Sequence, residues 1–140
     1  MVTVNQVFDT AIHLMDEQNE SSGSTRTQDT DEYRFRTINI LNSVIPFLWQ
    51  YSSENYGHSR DGVILLNVND YREPDFDQFV PLDDAMCISV LPFYLAAQLL
   101  SGENEALASW FYQRYSEHFA DFRRTQKSEF RKIDTPYDLF

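Results

Sequence analysis

The side chains able to do chemistry are few and poorly placed for it. His13, His58 and His118 stand far apart, and neither HExxH nor CxxC occurs, so zinc finds no ligand set. Asp70, Glu73, Asp75 and Asp77 form the richest run of oxygen ligands. They lack the D-x-D/N-x-D/N-G order of an EF-hand loop, and Pro74 stiffens them, so they read as a solvated acidic loop. Cys87 lies among apolar residues with no basic neighbour in sequence, which predicts an inert core thiol rather than a nucleophile. There is no G-x-S-x-G elbow, and four glycines, none two residues apart, exclude a phosphate-cradling loop. Asp83 and Asp84 are accounted for as anions at a helix start. His118, at helical spacing between Arg114/Tyr115 and Phe122, reads as a rim or core histidine. No catalytic residue, metal or cofactor is predicted.

One asymmetry remains. Arg123, Arg124, Lys127, Arg131 and Lys132 are five of the eleven basic residues, gathered into ten positions. Arg123 and Arg124 fit the C-terminal dipole of a helix predicted to end near them. Lys127, Arg131 and Lys132 lie beyond that predicted end and point to docking on the acidic face of a neighbour. Ile133, Tyr137, Leu139 and Phe140 then place large apolar residues where a terminus is ordinarily polar. The chain thus divides into a helical domain, residues 1–125, and an extended partner-binding tail, residues 126–140.

The elements that must carry these residues follow from composition and periodicity. The 140 residues are one domain's worth of chain, 42% apolar and 15% aromatic, with a net charge of −11 and a pI near 4.5. Such a balance opposes a broad grip on nucleic-acid phosphates or on an anionic membrane. One cysteine permits no internal disulfide, the N-terminal stretch lacks a basic n-region, and no apolar run approaches the roughly 20 residues of a membrane span. A soluble protein made in a cytosol-like compartment is expected.

Val4, Val7, Phe8, Ala11, Ile12 and Met15 recur on one helical face, predicting a helix from about Val4 to Gln18. Thr3 with Gln6 fits a capping box, and Val2 with Val7 the hydrophobic staple. Residues 19–28 (NESSGSTRTQ) read as a polar surface loop. A second helix starts near Asp29 or Thr30 and runs to about Ser53, kinked or divided at Pro46. Residues 63–68 (VILLNV) are short and β-branched, as in a strand that must pair with a neighbour in this chain or another. A third helix, from Asp83 to Leu100 with a kink at Pro92, is apolar on nearly every face and predicts the centre of the core. Gly102 ends it, and a fourth helix from Glu103 to Arg124 packs back as a hairpin. The fold class is mainly α, a bundle of four to five helices.

This order of elements resembles the head–tail connector (adaptor) proteins of tailed bacteriophages. The resemblance covers most of the chain, from the capped first helix through TINILNSV, and is strongest at residues 82–117. There it rests on L-P-x-x-L-A-A-x-L-L, E-N-E-x-L-A and F-Y-Q-R-Y, which are mostly packing residues. It implies a virion structural protein at the head–tail interface, made in the host cytoplasm and not an enzyme. Such connectors form a ring, commonly twelvefold, between the portal protein and the next neck, stopper or tail protein. DNA would be a transiting passenger, and a strongly negative ring would let it pass without sticking. The alternatives are another neck or tail-completion protein and a cytosolic helical adaptor.

Overall fold

Thr3 starts the first helix, α1 (Val4–Met15). Its Oγ1 accepts from the Gln6 amide, and its own amide donates to Gln6 Oε1, the reciprocal box expected from sequence. The free amides of Val4 and Asn5 donate to the Gln78 and Phe76 carbonyls, while Val80 donates to Val2. Residues 76–80 therefore satisfy donors that a helix start leaves open. The helix stops before Gln18 because Asp16 adopts a left-handed φ of 59°, and the amides of Asp16 and Glu17 close onto His13 and Ile12. The computed structural model describes residues 1–17, 21–52, 64–68, 70 and 72–133, with side chains as far as Gln126.

A short 3-10 turn, Gln28–Thr30, leads into α2 (Asp31–Trp49). Thr30 is fully buried, accepting from the Thr27 amide and donating to the Thr25 carbonyl. α2 runs unbroken through Pro46 and ends at Trp49, short of the expected Ser53, which lies outside the described residues. Its inner stripe includes Ile38, Leu41, Ile45 and Leu48, together with Arg34 and Thr37.

The predicted third helix is two: α3 (Asp84–Ser89) and α4 (Leu91–Leu100), parted at Val90. Proline lacks an N–H and its ring clashes with the carbonyl four residues earlier. The break sets Pro92 in the first turn of a new helix, where neither matters. Leu82 and Cys87 are both buried and staple the start of α3. Ile88 departs from the all-round apolar expectation and stands 62% exposed. α4 is the core's axis, packed against α1, α2, α3 and α5, with Leu91, Leu95, Ala96 and Leu99 fully buried. Each such leucine contributes about 1.5–3 kcal/mol relative to exposure.

Gly102, at φ 94°, turns the chain into α5 (Glu105–Ile133). Asn104 caps it, accepting from Leu107 on its side chain and from Ala108 on its carbonyl. Tyr94 meets Tyr115 and Phe93 meets His118, an antiparallel hairpin as expected. The helix does not end at Arg124 but continues to Ile133, about 43 Å at 1.5 Å per residue.

No strand forms among the described residues, where the only β-pairing is a single antiparallel bridge of Thr3 to Phe79. Residues 64–68 are not laddered, and Val63 lies outside the described residues. Asn42 on α2 takes the place of a partner strand: Oδ1 accepts from the Leu66 amide (2.9 Å) and Nδ2 donates to its carbonyl (3.0 Å). Gln78 does the same for Asn67, at 2.9 and 3.2 Å. Two side-chain amides thus satisfy backbone groups that a strand assignment would leave to another strand.

Candidate interaction surfaces

The clustered cations all sit on α5, which corrects the placement of Lys127, Arg131 and Lys132 beyond a helix end. Arg123 lies with its guanidinium carbon 4.3 Å from the Tyr51 ring centroid. Its Nη1 donates to Gln126 Oε1, and Gln126 Nε2 donates to the Tyr51 carbonyl, both at 2.5 Å. These contacts pin the middle of α5 to the end of α2. Arg124 pairs with Asp121 on an exposed face, a contact worth about 1 kcal/mol or less. Neither arginine serves the C-terminal dipole, because the helix runs on past both. Arg131 and Lys132 fall in the last turn of the helix, with Ile133. Tyr137, Leu139 and Phe140 lie outside the described residues.

α5 lies on α4 between Phe93 and Tyr94, and its two flanks carry different aromatic strings. On one flank Trp110 stacks edge-on to Phe111 (5.0 Å), Phe111 meets Phe93, and His118 lies 4.3 Å from Phe93 at a shallow angle. Trp110 is 48% exposed and, with Leu14, Leu107 and Phe111, lines an apolar groove of about 600 Å³. Along the other flank Tyr112, Tyr115 and Phe119 run in series and continue to Phe47 and Tyr51 of the α2 end at 5.6 and 5.4 Å. Tyr112 and Phe47 are each about half exposed. Burial, and then the nearby Tyr112 and Tyr94 hydroxyls, push the Tyr115 phenol up to about 12. Sequence periodicity located this helix face but could not divide it, because the division is made by which α4 ring each residue meets.

Arg34 was not singled out from sequence, and it is the one charged residue buried among the described ones. The signal was present: it follows Tyr33 and precedes Thr37 by three, on the face that α2 turns inward. Phe76 lies under its guanidinium at 4.1 Å and Phe8 at 5.3 Å. Burial, and then the like charge of Arg26, lower its affinity for the proton; Asp31 and Asp9 act in the opposite direction.

The other candidates are structural. Cys87 is buried, 3.7 Å from the Leu82 carbonyl. Asp83 accepts from the buried Ser52 hydroxyl at 2.8 Å instead of capping α3 with its side chain. In the acidic loop Asp70 and Asp75 fold back on the amides of Arg72 and Asp77, as Asx turns. Among the described residues no three His, Cys, Asp or Glu side chains converge on a metal position, and no helix is long and apolar enough to cross a membrane. Compared with known proteins, the chain matches no family model, no curated protein and no solved structure.

Proposed function

We propose that this chain is a virion structural protein: a head–tail connector whose copies form a ring between a portal protein and the next neck or tail protein, with DNA passing through. The reading is non-catalytic and needs no cofactor. It rests on the resemblance at residues 82–117, and one observation carries it further. The α4–α5 hairpin built from that stretch offers two unlike, half-exposed aromatic flanks, one around Trp110 and one around Tyr112, the second extended by Phe47 of α2. A closed ring joins each copy to the next through two different patches, and a single self-complementary patch cannot build one. The net charge of −11 suits a channel that does not hold DNA.

Genes for a portal and a major capsid protein are expected beside the gene for this chain. Native mass spectrometry of the chain with that portal should then show a ring of bound copies. Removing residues 129–140 spares every described packed side chain, so the shortened monomer should keep its melting temperature yet fail to enter particles. A chain that stays monomeric with the portal, in a genome without capsid genes, overturns the reading in favour of a helical adaptor.

A further inference from the structure

Burying a guanidinium carries a solvation cost unless its donors find acceptors. Arg34 as a whole residue is only 8% exposed; among the described residues its guanidinium makes no hydrogen bond and no ion pair, and its nitrogens are not shut off from the surface. Phe76 and Phe8 cover the plane of the group, so its N–H edge is the part left for a partner. Arg34 lines a cavity of about 630 Å³, together with Arg26 and Arg72. Of the two acids near Arg34, Asp31 forms no ion pair with it, and Asp9 is held by Thr25 and Asn5.

We propose that this cavity is a carboxylate-binding subsite, with Arg34 making a two-pronged contact and Arg26 and Arg72 adding positive charge. A planar carboxylate matches the guanidinium fork. Asp31, Glu73, Asp75 and Asp77 line the same cavity and outnumber its arginines. They oppose any anion, and a dianionic phosphate about twice as strongly as a carboxylate; the carboxylate is held at the Arg34 edge against that background. Asn5 adds an amide, and Phe35 and Pro74 add apolar wall. The carboxylate comes either from a small acid or from an Asp or Glu side chain of a polypeptide. The proposal is independent of ring assembly.

The test follows the Arg34 Nε–H signal by NMR in the full-length protein during titration with sodium acetate, a blocked glutamyl tripeptide, sodium phosphate and sodium chloride. Acetate and the peptide should shift it saturably and chloride should not. R34K keeps the charge and loses the fork, so binding followed on neighbouring amides should weaken about tenfold, as for one charge-assisted hydrogen bond. R26Q alters an exposed side chain, leaves the fold intact and should weaken binding more mildly. Tighter binding of the peptide than of acetate identifies a polypeptide source; equal binding identifies a small acid. No saturable shift, undiminished binding in both variants, or phosphate binding more tightly than acetate overturns the proposal.

Discussion

Asn42 shows how much one side chain decides. Its amide holds both backbone groups of Leu66, a residue only 4% exposed, and so fastens residues 64–68 to α2. N42A should cost about 1–3 kcal/mol in urea unfolding, the range for buried backbone groups left unpaired. Hydrogen exchange separates the two bonds: the Leu66 amide should lose protection in N42A and keep it in N42D, which retains the acceptor. Tyrosines set the alkaline limit. Burial raises Tyr33, as does its hydrogen bond to Glu103, and Tyr115 rises from 10.0 to about 12. An unfolded phenol releases its proton near 10.0, whereas the folded one keeps it. Stability is therefore intact below pH 10.0 and falls as the pH rises towards about 12. Urea midpoints should show that fall in the native chain and a flatter one in Y115F. None of this was visible in sequence, since an asparagine or tyrosine there announces no partner.

α3 and α4 show where periodicity sufficed and where it failed. A stretch apolar on nearly every face correctly marked the core's axis. It did not reveal that Val90 divides the stretch, or that the division turns Ile88 to the surface. L95A should cost about 2–5 kcal/mol, because α1, α2 and α5 cannot collapse into the space left. I88A should stay within about 0.5 kcal/mol, as for other surface changes. Equal losses, measured by denaturant unfolding, would mean that α3 packs as buried as α4. Pro46 and Pro92 differ for a related reason: α2 absorbs a proline near its end, whereas Pro92 becomes the start of a helix.

For the molecule as an assembling unit, the two flanks of α5 are what matter. If they meet between copies, W110E and F47E each leave one patch intact. Either variant alone should stay monomeric with the portal, and the two mixed should pair as a dimer that cannot grow, seen by light scattering. Assembly by both variants separately would place the ring contacts elsewhere. Of the clustered cations whose side chains are described, Arg123 turns inward to Tyr51 and Arg124 pairs with Asp121.

Composition and hydrophobic period were enough to determine a mainly helical chain, the capping box at Thr3, the antiparallel hairpin through Gly102 and the central place of α4. These depend on neighbours a few residues apart, which the sequence displays directly. Only the tertiary structure decided that amides replace a strand partner at residues 66 and 67, and that Arg34 sits over Phe76 at the wall of a cavity. Those outcomes join residues far apart in the chain. No local pattern records which distant side chain will meet a buried polar group once the core has closed around it.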